Sequence, residues 1–431
     1  MIGQQRALIL GLLLFCSTGC RKDGDDTPPS VRIIAPAAGS TYSIPDTITV
    51  HVEASDDRTV EGLVIDVTDA NGISICTPVI VSENASSVSV ARDLVIDRER
   101  TPSGTYTIVA RASDGSNDGR AFLDIQLIEA PLRLRSIFLA PAFTTASATI
   151  QRVDSTGSVS DWLTLPDLNG IAVDGYSQHL MVAGSQLGPF QAIPTAAGSY
   201  PWQRQPPAND VPEQFTGLTV DPTDGRTYFA TRDGFIRGFT GEGTERFTAE
   251  AMAGYRCEAI VVLDDRVATW QQAIVGQDRK VVTYSMAGTI QDILQVEHER
   301  VALFARTATS ALLFANQDGS GLIEDLNITA GGTPEVRSFA GEVIRAVVRL
   351  DANSFVIALA DRLVRFNYPT NAIVELTSST SADALAYDPA TGALFAAEGN
   401  ELLTIDPNSG TTTSTLSAGI QIRHILPLRN R

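Results

Sequence analysis

Asn169-Gly-Ile-Ala-Val-Asp174 and Thr216-Gly-Leu-Thr-Val-Asp221 are two copies of one phrase: a small residue leads into an apolar run that ends in Asp. The phrase returns, with variation, as Glu258-Ala-Ile-Val-Val-Leu-Asp264, Arg300-Val-Ala-Leu-Phe304, Arg345-Ala-Val-Val-Arg-Leu-Asp351, Asp383-Ala-Leu-Ala-Tyr-Asp388 and Arg423-His-Ile-Leu426. Successive copies start between 38 (383−345) and 47 (216−169) positions apart. A β-blade of four short strands takes roughly 40–50 residues, so the spacing is that of a β-propeller.

The strands within a copy are also readable. Gly217-Leu-Thr-Val-Asp221 is followed by the turn Pro222-Thr-Asp-Gly225, the strand Arg226-Thr-Tyr-Phe-Ala-Thr231, the turn Asp233-Gly234 and the strand Phe235-Ile-Arg-Gly-Phe239. Asp-Pro-x-x-Gly turns recur at Asp388–Gly392 and Asp406–Gly410, because Pro presets φ and Gly supplies positive φ. The copy at Arg423 has a single strand, whereas the stretch from Arg135 to Leu165 has three strands and lacks a leading one. Joining them completes one blade and removes two exposed sheet edges. The expected count is seven blades, with six and eight as alternatives.

Composition narrows the function classes. Lys+Arg is 32 and Asp+Glu is 50, a formal charge of −18. A surface that negative repels nucleic acid and anionic lipid. Of the four Cys, Cys16 and Cys20 fall in the leader. Cys76 and Cys257 fall in different expected domains and read as small buried hydrophobes.

The N-terminus reads as an address. Arg6 precedes the apolar run Ala7–Phe15, which is too short to span a bilayer and suits a secretory leader. Ser17-Thr-Gly19 directly before Cys20 resembles a bacterial lipobox, with Ser17 where Leu is usual. The resemblance implies a signal peptide over residues 1–19 and a lipid anchor on Cys20. Arg21-Lys-Asp-Gly-Asp-Asp-Thr-Pro-Pro-Ser30 then forms a flexible tether over residues 20–30. Its Lys/Asp character is similar to surface-export signals of Bacteroidetes lipoproteins. The expected location is the outer membrane, on its periplasmic or surface face.

Residues 31–130 carry short strands and turns. Thr47-Ile-Thr-Val-His-Val-Glu-Ala54 alternates with period two, and Asp69-Ala-Asn-Gly72 is a hairpin turn. About seven strands in roughly 100 residues suggest a β-sandwich. Pro36-Ala-Ala-Gly39, Ala54-Ser-Asp-Asp57 and Ser103-Gly-Thr-Tyr106 leading to Ala112-Ser-Asp-Gly115 resemble bacterial Ig-like domains. Asp56, Asp57, Asp114, Asn117 and Asp118 are a candidate Ca²⁺ cluster if they converge at one end, although such residues are also common in turns. No other cofactor or metal is expected.

Residues 131–431 resemble the bacterial propellers related to the NHL and YVTN types, in strand-and-turn grammar. The signature tetrapeptides of those types and the Trp-Asp pair of WD repeats are absent. The resemblance implies that residues just before each innermost strand ring the channel mouth: Asn169, Thr216, Glu258, Arg300, Arg345, Asp383 and Arg423. Three Arg there suit an anionic or hydroxyl-rich ligand. The alternative is inter-blade ion pairing, Glu258 with Arg300 or Asp383 with Arg345 or Arg423. Tyr200, Trp202 and Trp270 are candidate loop aromatics for sugar or peptide contact, with Trp202 equally suited to packing between blades.

No G-x-S-x-G, H-E-x-x-H, Walker or C-x-x-C spacing is present, so no catalytic residue is assigned. Two classes follow. The first is a non-catalytic binding or scaffold lipoprotein whose propeller recognises a glycan or protein partner, with no nucleic acid involved. The second is a propeller hydrolase or lyase on an extracellular polymer, using His298, Glu299 and Glu258.

Overall fold

A computed structural model describes residues 26–196, 201–206 and 212–430. The leader, Cys20 and Tyr200 lie outside the described residues. Among the described residues every regular element is a strand, and the chain divides between Pro131 and Leu132 into two compact units.

The first unit is organised by one long strand, Asp46–Thr68. It pairs with Ser30–Ala35, Val79–Ile96 and Gly104–Ser113. Asp118–Ile128 adds to Gly104–Ser113, and Thr41–Ser43 joins it in parallel. Period-two patterning does what it predicts: Ile48, Val50, Val52 and Ala54 are buried while Thr47, Thr49 and Glu53 are exposed. Bulges between Ser55 and Gly62 bend the long strand. Both of its halves therefore feed one core, in which Val50 and Val52 share a cluster with Leu63, Ile65 and Val67.

The second unit is propeller-like. Among the described residues it holds seven four-stranded antiparallel sheets. Six are built from four consecutive strands; their innermost members are Gly170–Asp174, Phe215–Val220, Tyr255–Leu263, Glu299–Thr307, Ala346–Arg349 and Ala384–Asp388. The seventh sheet pairs His424–Arg429 with Leu134–Ala140, followed by Ala148–Val153 and Val159–Leu165. Consecutive innermost strands touch, and His424–Arg429 touches both Ala384–Asp388 and Gly170–Asp174.

Burial explains the sequence grammar. The second strands His179–Ala183 and Thr227–Thr231 are buried at every position, because neighbouring sheets cover both faces. Outermost strands such as Glu245–Glu250 alternate between exposed and buried. Asp-Pro-x-x-Gly turns close by Gly392 N donating to Asp388 O at 2.8 Å and Gly410 N to Asp406 O at 2.8 Å. Gly410 has φ +73, and a Cβ there would lie 1.8 Å from Leu376 O of the preceding sheet, so no other residue fits.

The last strand is fastened by side chains as well as by its ladder. Arg429 Nε donates to Asp388 Oδ1 at 2.7 Å and Arg429 Nη2 to Tyr387 O at 2.8 Å. Gln178 Nε2 donates to Arg429 O at 2.7 Å, and Arg133 N to Asn430 Oδ1 at 2.8 Å. Asp388 is fully buried; burial would raise its pKa, but Thr391 and Arg429 hold it below the usual carboxylate range.

Candidate functional site

The seven residues predicted for the channel mouth occupy equivalent places but do not form one site. Asn169, Arg345, Asp383 and Arg423 each donate a backbone N–H to the end of a neighbouring strand, at Ala183, Ala358, Ala397 and Ala140 O. Thr216 and Glu258 are the extra residues of β-bulges at Phe215/Gly217 and Cys257/Ala259, which re-aim their side chains. Beyond this shared backbone role, the collar splits into two sectors.

The first sector is self-satisfied. Asp383 accepts an ion pair from Arg345 through Oδ1 and another from Arg423 through Oδ2, the latter at 2.5 Å. Arg345 Nη1 also donates to Ser381 Oγ at 2.7 Å. Here the ion-pairing alternative holds, and the expectation of a ligand-facing cation does not: three sheets are stapled through one carboxylate.

The second sector borders an open cavity of about 250 Å³ lined by Asn169, Thr216, Glu258 and Arg300 together with apolar residues including Phe143, Ile171, Leu218 and Leu303. Asn169 Nδ2 donates to Phe215 O at 2.5 Å, and Thr216 Oγ1 to Cys257 O at 2.5 Å. The expected Glu258–Arg300 ion pair is not made. Glu258 Oε1 instead takes Arg256 Nη2 at 2.8 Å, and Arg256 reaches Glu213 at 3.0 Å. The Arg300 side chain is left with no hydrogen bond or ion pair among the described residues, and its Nε is fully buried without a partner. Burial pushes its pKa below the ordinary range, against the pull of Glu258. Arg300 as a whole is part-buried; a guanidinium with a buried, unpaired Nε that lines a cavity suits an anion.

The proposed catalytic trio does not assemble. His298 is absent from the cavity lining, and its Nδ1 lies 3.0 Å from Oε2 of the nearly buried Glu324; Glu299 is exposed. A second constellation escaped sequence reasoning: Ser177 Oγ sits 2.7 Å from His179 Nδ1 and bonds Asp174 Oδ2. In a nucleophile triad the imidazole lies between Ser and Asp, whereas here the Ser lies between. A Cβ at Gly241 would run into Ser177 and one at Gly225 into Tyr176 and Asp174, and burial raises the Asp174 pKa. The trio locks a hairpin.

Other expectations also change. Trp270 is not a surface aromatic: it is 1% exposed, in a core with Leu263, Val281 and Leu313. Trp202 packs between sheets, its ring centroid 5.2 Å from Phe190 and 5.4 Å from Phe239, with Nε1 donating to Gly241 O at 3.0 Å. The Ca²⁺ candidates do not converge. Asp114 Oδ1 caps its own turn through Ser116 N and Asn117 N, Asp56 Oδ1 accepts from Arg58 N and Thr59 N, and Asp118 pairs with Arg111 at 2.6 Å. Asp57 is exposed, and no cluster of three metal-ligating His, Cys, Asp or Glu occurs among the described residues. Cys76 and Cys257 are free and buried, and burial raises both thiols, Cys76 to about 11. A larger groove, about 520 Å³, opens on the face opposite the collar, but its cation Arg365 is already bonded to Asn408 at 3.1 Å.

Comparison with known proteins identifies one domain. Residues 29–110 match the bacterial Ig domain family. No curated protein matches the chain. Among solved structures, a quinonprotein alcohol dehydrogenase-like protein from Bacteroides thetaiotaomicron is similar at 11% identity, covering 92% of this chain and 99% of that one, with a TM-score of 0.47. Sqt1 from Saccharomyces cerevisiae is similar at 12% identity over 68% of this chain and 88% of that one, TM-score 0.47. BamB from Moraxella catarrhalis is similar at 17% identity over 57% and 72%, TM-score 0.39.

Proposed function

We propose that this chain is a cell-envelope lipoprotein of the outer membrane that binds and does not catalyse. In this reading residues 1–19 are removed, Cys20 carries the lipid, residues 20–30 are a tether and the Ig-like domain is a spacer. The seven sheets are the seven blades of a closed propeller, the recognition head for a protein or glycan partner bearing an anionic group. The observation that carries the reading is Arg300, a cation lining a cavity whose side chain makes no hydrogen bond or ion pair among the described residues, Glu258 attracting it only at a distance. Supporting it, His298 lies beside Glu324 and outside the cavity lining, apart from Glu258, and His179 is bonded to Ser177.

Titration calorimetry with acidic glycans and acidic peptides tests the head. Arg300→Gln is expected to abolish binding that the parent shows, and binding by both proteins alike removes the site. Membrane fractionation tests the anchor: Cys20→Ser is expected to move the protein from the membrane fraction to the soluble one.

A further inference from the structure

The cavity specifies more than a negative charge. Arg300 supplies unpaired donors. Asn169 spends its Nδ2 on Phe215 O, leaving Oδ1 free, and Glu258 gives only Oε1 to Arg256, leaving Oε2 free. The polar collar therefore offers one cation and two acceptors. Phe143, Ile171, Leu218 and Leu303 provide apolar wall in the same cavity. A matching ligand needs a carboxylate for the Arg, an N–H donor for the acceptors and an apolar group for the wall. Phosphate and sulfate esters supply no donor for Glu258. A uronic acid supplies the carboxylate and donors but no apolar chain.

Outside the cavity, the collar face carries apolar side chains on two hairpins. Leu187 is 68% exposed, Ile274 63% and Val275 89%. Ala183 and Ala273, which precede these loops, pair with Gly170 and Tyr255 at the starts of innermost strands, so both loops open on the collar's face. Both belong to sheets that line the cavity, those led by Gly170–Asp174 and Tyr255–Leu263. Single exposed apolar residues are ordinary; their placement around an apolar-walled cavity with an unpaired cation extends the complementary surface outward.

We infer that this sector takes the free C-terminus of an apolar peptide. The terminal carboxylate pairs with Arg300, the last backbone N–H donates to Glu258 Oε2 or Asn169 Oδ1, the last side chain enters the apolar wall, and preceding residues lie against Leu187, Ile274 and Val275. The inference rests on the binding reading above and narrows it to one chemistry. A volume of about 250 Å³ is below the roughly 300–1,000 Å³ of drug-sized pockets, which suits a chain end and not a folded epitope.

The test uses the full soluble chain from residue 21 and four probes: an N-acetylated pentapeptide ending in three leucines, its C-terminal carboxamide, propionate and glucuronate. The free acid is expected to bind at least about tenfold more tightly than the carboxamide, the loss of one charge-assisted contact. Arg300→Gln is expected to bring the acid down to the level of the carboxamide, with an unchanged melting curve confirming its fold. The double variant Ile274→Ser, Val275→Ser is expected to weaken the peptide about threefold or more while leaving propionate unchanged. Equal binding of acid and carboxamide overturns the inference. Propionate or glucuronate bound without the peptide also overturns it, while leaving the anion site in place. Failure of every probe, with Arg300→Gln indistinguishable from the parent, removes the anion site as well.

Discussion

The two sectors of the collar solve the same problem in opposite ways. Both place arginines where innermost strands begin. In one, Asp383 sits between Arg345 and Arg423 and neutralises them; in the other, Arg256 captures Glu258 and Arg300 goes without. A buried ion left without a partner costs stability, whereas a satisfied one holds sheets together. The difference separates residues kept for architecture from a residue kept against it.

Substitutions break this comparison at graded cost. Asp388→Ala should be the most damaging, because it strips Arg429 of a fully buried partner on the fastened strand. A loss of about 3–5 kcal/mol is expected in denaturant unfolding. An unchanged midpoint would show that the strand is held by its ladder alone.

His424 lies at the border of the sectors, next to Arg423 in sequence and stacked on Phe143 of the cavity at 4.4 Å. Burial lowers its pKa from 6.5 to about 4. The unfolded chain therefore binds a proton that the folded chain refuses. Its contribution is full above pH 6.5 and is lost as pH falls toward about 4, by ~3 kcal/mol at most. His424→Phe should flatten stability across that window; a slope that survives assigns it to other groups.

Asp383→Ala leaves two half-exposed arginines facing each other and should cost about 1–2 kcal/mol. Arg300→Met is the sharpest contrast, since it removes no side-chain hydrogen bond and relieves a part-buried charge that only Glu258 attracts, at a distance. Its stability should equal or exceed the parent's by up to about 1 kcal/mol. A clear drop in its melting temperature would erase the distinction between sectors.

The strands were legible because apolar runs recur at Gly170–Asp174, Phe215–Val220 and Ala384–Asp388, each followed by a second strand such as His179–Ala183 or Thr227–Thr231 that is covered on both faces. The Ig-like unit was legible through its period of two. Trp270 was misread because its neighbours are polar. Thr269 and Gln271 are nonetheless fully buried, Gln271 Nε2 donating to Thr269 Oγ1 at 2.9 Å and Tyr284 Oη at 2.8 Å. A closed hydrogen-bond set lets polar residues flank a core Trp, and no one-dimensional pattern distinguishes that from a loop. The split of the collar was half legible. Arg256 lies two residues before Glu258 on one strand, close enough in sequence to reach it, a signal the Glu258–Arg300 expectation overlooked. That Arg300 faces a cavity depends on contacts between sheets.

The pairing of His424–Arg429 with Leu134–Ala140 has a temporal side. Arg133 and Asn430, which meet beside it, are 297 positions apart. Such a long-range contact forms slowly, since a very long loop must be closed first. During synthesis the other six sheets can assemble in turn, but Leu134–Ala140 must wait with an uncovered edge until the final stretch emerges. This places the chain's greatest exposure to self-association early in its life and makes the delay before that late encounter its most vulnerable interval.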